Sequence, residues 1–235
     1  MGFRAVEMRY GTAMAAGATK WKILAAIALT IVVADQWTKL LAVEHLTPGL
    51  ANAALADEGR RIETYEERGQ VLASVGFVEK VKLFYGEVRH PCDRRGRLCP
   101  EIKSIEGFWS WRYAENTGAA WSILAGQRFV LLALSLVALF FLVQFVRKLD
   151  PGESMLLIAL SLVLGGAIGN MIDRVYLGYV VDFILWYSGD FYWPTFNVAD
   201  TAISTGLGLI GLNMLLEAIA KHKNSDAPNG SVAPQ

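Results

Sequence analysis

Apolar residues in this chain come in four long blocks separated by polar segments. The blocks run roughly Trp21–Val43, Arg128–Val146, Met155–Ile172 and Val198–Ala220, each with Leu, Ile, Val, Phe or Ala around its whole helical circumference. A helix crossing the hydrocarbon of a bilayer needs about 20 mostly apolar residues, and all four meet that test. One such block also fits a buried helix of a large soluble protein; four within 235 residues point to transmembrane helices. The first is too long for the apolar core of a cleavable leader, and Asp35 and Lys39 stand where a small-residue cleavage site belongs. It reads as a permanent span. Composition agrees, since 54% hydrophobic and 19% charged residues are too apolar a mixture for an ordinary soluble domain.

Charge sets the orientation. Arg4, Arg9, Lys20 and Lys22 precede or open the first block, Arg147 and Lys148 follow the second, and Lys221 and Lys223 follow the fourth. Short basic flanks stay on the cytoplasmic side. The expected order is a cytoplasmic tail 1–20, a span 21–43, an outer segment 44–127, a span 128–146 and a cytoplasmic loop 147–154. A span 155–172, an outer connection 173–197, a span 198–220 and a cytoplasmic tail 221–235 complete it. Both termini are then cytoplasmic. The basic residues of 44–127 do not count against this, because long loops translocate largely regardless of charge.

The outer segment is long enough for a subdomain. Leu50 to Gly76, rich in Ala, Glu, Arg and Gly, reads as helical or loosely ordered. Val78–Val88 and Ile105–Tyr113 alternate apolar and polar residues, which predicts two strands pairing antiparallel across a polar, turn-rich connection from His90 to Pro100. Trp109, Trp111 and Trp121 would lie near the lipid headgroups. The fold class is thus an all-α membrane protein of four transmembrane helices with a small outward-facing β-rich subdomain. Cys92 and Cys99, the two cysteines, both fall in that connection. An outer, oxidising compartment favours a disulfide between them. Two free thiols are the alternative, and a metal site with His90 lacks an evident fourth ligand.

The chemistry lies where polar residues interrupt the apolar blocks. Ionisable groups at membrane depth are costly and are usually paired or functional. Asp35 and Lys39 near the end of the first helix, Asn116 before the second, Asn170, Asp173 and Arg174 closing the third, Asp182 after it, and Asn197 and Asp200 opening the fourth all converge on one depth at the outer face. Asp182 and Asp200 are the candidate catalytic pair. Two carboxylates in an apolar setting share a proton, giving a base for a water and an acid for a carbonyl, as metal-free peptide hydrolysis requires. Structural readings stand beside this. Asn197-Val-Ala-Asp200 also fits a helix-capping pattern, Asp182 also fits a solvated interfacial acid, Asp35 and Lys39 also fit a neutralising pair four residues apart, and Asp173 also fits an ion pair with Arg174.

Five blocks favour the catalytic reading by resemblance. Asp35-Gln-Trp-Thr-Lys39, Asn116-Thr-Gly-Ala-Ala-Trp121, Gly165-Gly-Ala-Ile-Gly-Asn-Met-Ile-Asp-Arg174, Val180-Val-Asp-Phe183 and Phe196-Asn-Val-Ala-Asp200 resemble, in order and spacing, the signature blocks of lipoprotein signal peptidase. Together they touch all four helices. The resemblance implies an aspartic dyad at Asp182 and Asp200, with Asn116, Asn170 and Arg174 holding substrate or dyad and Asp35 and Lys39 supporting the site. It implies a prolipoprotein substrate whose lipobox cysteine carries diacylglycerol, cut just before that cysteine, with membrane lipid as surroundings and no metal or cofactor. Trp121 stands where the family commonly has Phe, and the segment after the first helix is much longer than in compact members. A specialised paralogue with restricted substrates fits the same blocks. A proton-coupled transporter would need a polar path through the inner halves of the helices, which offer almost none. No serine–lysine pair, nucleotide loop or zinc-protease motif stands out, and balanced charge gives no reason to invoke nucleic acid.

Overall fold

The computed structural model describes residues 2–86, 88, 92, 99, 101–118, 124–150 and 152–225, with side chains from 18 to 222. His90, Trp121 and most of the turn-rich connection lie outside the described residues. Helix α1 spans Gly2–Leu46, and a helical layer follows it: α2 (Gly49–Ala54), a 3-10 turn (Ala56–Glu58), α3 (Tyr65–Ser74) and α4 (Phe77–Gly86). Strands β1 (Ile102–Ile105) and β2 (Trp109–Asn116) come next, then helices α5 (Arg128–Lys148) and α6 (Ser154–Tyr176). Strands β3 (Val180–Ser188) and β4 (Phe191–Tyr192) lead into α7 (Val198–Ser225). Among the described residues, four helices are long and apolar enough to cross a membrane: Ala18–Leu46 within α1, α5, α6, and Val198–His222 within α7.

Helix α6 lies at the centre of these four, packed against α1, α5 and α7. Its glycines let the neighbouring backbones come close. A Cβ on Gly166 would collide with the carbonyl oxygen of Ala199 on α7, and one on Gly165 would fall 2.8 Å from that of Ala28 on α1. Gly206 of α7 faces α6 in the same way, with 2.6 Å between such a Cβ and the Ala159 carbonyl. Small residues at such crossings are how helices associate in lipid, where apolar burial gives little drive. By contrast α5 packs chiefly on α6 and turns Phe129, Leu134, Phe140 and Phe141 outward. Its C-terminal carbonyls receive a cation, Lys20 Nζ donating to Arg147 O at 3.2 Å and Leu149 O at 3.1 Å.

The sheet corrects the sequence reading in two ways. Val78–Val88 is not a strand; it lies mostly within α4. Phe77, Val81, Phe84 and Val88 recur at four, three and four residues, a helical period, and Phe84 and Val88 are buried. The predicted pairing of that segment with Ile105–Tyr113 therefore does not form. The second region is two strands joined through a turn at Gly107 (φ 80°), so β1 pairs antiparallel with β2. Its other edge pairs with β3, drawn from the connection after the third apolar block, in the register Trp109↔Trp186, Ala114↔Asp182 and Asn116↔Val180. The four strands are ordered β1-β2-β3-β4. Leu50 to Gly76 is helical in part, as expected.

Helical layer and sheet share one core. Leu46, Leu50, Phe84 and Val88 from one side meet Tyr113, Tyr179, Val181 and Phe183 from the other. Burying such side chains contributes roughly 1.5–3 kcal/mol each, so the layer is an integral part of the fold. Cys92 and Cys99 are joined by a disulfide, their Cα atoms 5.8 Å apart.

Candidate active site

Every residue singled out in the polar cluster lies where the sheet meets the ends of α1, α6 and α7. Its base is a buried charge network. Lys39 Nζ lies 2.8 Å from Asp35 Oδ2, 2.9 Å from Asp173 Oδ2 and 3.0 Å from Asn170 Oδ1, with no exposed surface on Lys39, Asp35 or Asp173. Asp173 thus pairs with Lys39 across the helix interface; its neighbour Arg174 points elsewhere, donating to Gly118 O at 2.8 Å. Two adjacent residues on a helix diverge by about 100°, so they cannot serve one partner. An isolated lysine at this depth would be costly; two carboxylates and an amide satisfy its three protons.

Each acid of the base also fixes backbone. Asp35 Oδ1 accepts the N–H of Ala199 in the first turn of α7 at 2.9 Å, and Asp173 Oδ2 accepts the N–H of Val181 in β3 at 3.0 Å. Gly169 makes room, since a Cβ there would fall 2.5 Å from Asp35 Oδ2. Through these bonds the network of Asp35, Lys39 and Asp173 ties together the elements that carry Asp182 and Asp200. Gln36, which a search for ionisable groups passes over, closes the base: its Nε2 lies within hydrogen-bond distance of three acceptors, Asp35 Oδ2 at 3.1 Å, Asp173 Oδ1 at 3.0 Å and the Gly169 carbonyl at 3.1 Å.

Above the base, two asparagines carry the two candidate acids. Asn197 Nδ2 donates to Asp182 Oδ1 at 2.7 Å and to the Val181 carbonyl at 3.2 Å, and lies 3.1 Å from Asn170 Oδ1. Asn170 Nδ2 donates to Asp200 Oδ1 at 2.8 Å. Asn197 and Asp200 also form the reciprocal cap: the N–H of Asp200 donates to Asn197 Oδ1 at 2.9 Å, and that of Asn197 to Asp200 Oδ2 at 3.2 Å. The capping pattern and the site are both realised, on different oxygens of one carboxylate. Asp182, buried in β3, has its carboxyl pushed well above the usual carboxylate range, first by burial and next by the charge of Asp200. Lys39 and hydrogen bonds from Asn116 and Asn197 pull the other way.

Asn116 ends β2, where Oδ1 accepts the N–H of Gly118 at 3.0 Å and so turns the chain toward Arg174. Arg174 Nε is buried with no partner among the described residues. The cluster can therefore offer two neighbouring acids able to share a proton, with a guanidinium beside them. That is what activating a water and binding a peptide carbonyl require.

Comparison with known proteins bears on the same residues. Residues 88–216, more than half of the chain, match the family model described as signal peptidase (SPase) II. A lipoprotein signal peptidase of Anaeromyxobacter sp. (strain Fw109-5) is 35% identical over 225 residues, covering 89% of this chain and 92% of its own. One from Symbiobacterium thermophilum is 43% identical over 122 residues, covering 52% and 80%. Among solved structures, a bacterial membrane enzyme determined by the in meso method superposes with a TM-score of 0.52 at 26% identity, covering 83% of this chain and 93% of that one. A second superposes with the same score at 24% identity, covering 91% and 95%, and likens the fold alone.

Proposed function

Because the chain belongs to the signal peptidase II family, and is accordingly a bacterial membrane peptidase, we propose that it is an aspartic endopeptidase working without a metal. Its substrate is a prolipoprotein whose cysteine already carries diacylglycerol, and it cuts the peptide bond just before that cysteine. Asp182 and Asp200 form the dyad. Both termini are cytoplasmic, and the sheet and site stand at the outer membrane face, where a lipid-anchored cysteine holds its scissile bond.

The reaction needs one proton shared by the pair. The ionised carboxylate takes a proton from water, whose oxygen attacks the carbonyl carbon before the cysteine, while the protonated partner donates to the carbonyl oxygen. The tetrahedral intermediate collapses as the C–N bond breaks and a proton passes to the departing cysteine nitrogen. The products are the signal peptide with a free carboxylate and the lipoprotein with a free amine. Asn170 and Asn197 hold the acids, and Arg174 places its positive charge beside them. The observation that carries this reading is the single asparagine, Asn197, bonded to both acids, to Asp182 through its side-chain amide and to Asp200 through its backbone N–H, since two carboxylates held by one residue are held near each other.

A gel-shift assay tests it directly. Purified protein in detergent, a diacylglyceryl-modified prolipoprotein and EDTA should yield the shortened lipoprotein. An unprocessed substrate, or processing that stops when EDTA is added, overturns it.

A further inference from the structure

One hydrogen-bond chain leaves the site and enters the helical layer that follows α1. Tyr85, on α4, donates its hydroxyl to Gln36 Oε1. Its ring is fixed from two sides, against Phe84 at 4.7 Å and Tyr176 of α6 at 5.1 Å between centroids. The side-chain amide of Gln36 can face its neighbours in two ways. Only one of them lets Nε2 donate to both Asp35 and Asp173. A hydroxyl donating to Oε1 reinforces that orientation: the reversed amide would set an oxygen against two carboxylates and the Gly169 carbonyl and would forfeit the bond that the phenol donates.

From Gln36 the chain is continuous. Asp35 and Asp173 hold Lys39, Lys39 donates to Asn170 Oδ1, and Asn170 Nδ2 donates to Asp200. Peptide hydrolysis by the dyad makes no direct use of Tyr85. We propose that Tyr85 is a positioning residue for the dyad: by fixing the Gln36 amide it holds the carboxylates that place Lys39, and through Lys39 and Asn170 the acid on α7. The inference rests on the reading of Asp182 and Asp200 as the dyad. It makes the helical layer a working part of the active site.

Tyr85→Phe keeps the ring and removes the hydroxyl, so it isolates the hydrogen bond from the packing. Full-length protein in detergent with a diacylated prolipoprotein is assayed for kcat, KM and the pH–rate profile, beside Lys80→Met. That control breaks the 2.5 Å pair between Lys80 and Glu44, another tie between α4 and α1 that does not enter the chain to Asp200. Tyr85→Phe should lose about 3–10-fold in kcat with KM unchanged. The whole profile should move to higher pH, because a less firmly placed Lys39 supports ionisation of the carboxyl pair less well. Lys80→Met should leave both kcat and the profile as in the unaltered protein. A Tyr85→Phe protein with unchanged kcat and profile overturns the inference, as does the same loss in both variants, which would mean that docking the layer is all that counts. If instead Asp182→Asn or Asp200→Asn cleaves at the full rate, the dyad reading has failed, whatever Tyr85→Phe does.

Discussion

Lys39 donates to the carbonyl oxygen of the Asn170 side chain at 3.0 Å, and that one contact decides which way the amide faces. An ammonium group can only donate, so the nitrogen of Asn170 is left for Asp200 Oδ1, 2.8 Å away. Asn170→Ala removes the donor and leaves Asp200 with only its capping contacts. A hydrogen bond to a charged group is typically worth about 1.5–3 kcal/mol. The variant should therefore lose roughly 10- to 100-fold in kcat with little change in KM. Turnover measured beside thermal melts in detergent checks this, and a loss confined to the melt would reassign Asn170 to a structural role.

Asp182→Asn and Asp200→Asn each keep the shape of the side chain and remove a proton carrier. Either should lower cleavage by roughly 10²- to 10⁴-fold while the protein still purifies folded. Asp200→Asn has the further interest that an amide can still accept the Asn197 N–H, so the cap survives while the chemistry fails. Retention of near-normal turnover in one variant would remove that residue from the dyad.

Burial and Asp200 raise the carboxyl of Asp182, and the sign of the consequence is fixed. In the unfolded chain an aspartate titrates near 3.9; in the folded protein Asp182 holds its proton to higher pH. Between the two values the folded state binds more protons, so stability falls as pH rises through that window. Melting temperatures in detergent should decline from about pH 4 upward, and Asp182→Asn should flatten the decline. An unchanged slope in that variant would show that another group is responsible.

Gly166 faces the Ala199 carbonyl so closely that an added methyl group would overlap it. Backbone cannot swing aside as a side chain can. Gly166→Ala should force α6 and α7 apart at a cost of about 1–3 kcal/mol, lowering the melting temperature. It should also lower activity, because Asn170 and Asp200 lie on those two helices. A stable and fully active variant would mean that the helices slide without disturbing the pair.

The disulfide between Cys92 and Cys99 closes a short loop, the cysteines being 7 residues apart in sequence. None of the residues assigned to the site lies within it. Chain-entropy arguments give such a loop about 2.5 kcal/mol, confined to the loop itself. Cys92→Ser/Cys99→Ser should therefore keep most of its cleavage activity. Mass spectrometry of the unreduced protein checks the bond itself, and two alkylatable thiols would show it absent.

How much of this is legible in the sequence depends on what kind of signal each part leaves. The spans are legible, because side chains apolar around a whole long helix suit lipid and little else. The acids and asparagines are too, since polar residues at the ends of apolar blocks are conspicuous. Adjacency misleads at Asp173: Arg174 is next in sequence, but Lys39, on another helix, is the partner. The segment Val78–Val88 carries apolar residues compatible with alternation and with a helical period, and burial of Phe84 and Val88 decides for helix. The pairing of β2 with β3 leaves no local trace, because two long helices separate the strands in sequence and register is set by contact across the sheet. Gln36 and Tyr85 are neutral, and a search guided by charge has no reason to stop at them.

The bond from Asp35 to the N–H of Ala199 joins the first membrane-crossing helix to the start of the last one. During synthesis those elements are made at opposite ends of the process. Asp35 and Lys39 must enter the bilayer together, four residues apart and neutralising one another, while Asp173, Asn170 and Asp200 are not yet translated. Only when α7 arrives does Asp35 gain its backbone partner, and only then are both acids of the pair present around Asn197. With Asp182 and Asp200 as the dyad proposed above, a chain that still lacks α7 lacks one of its two acids, so the pair is complete only once the last membrane-crossing helix has been made.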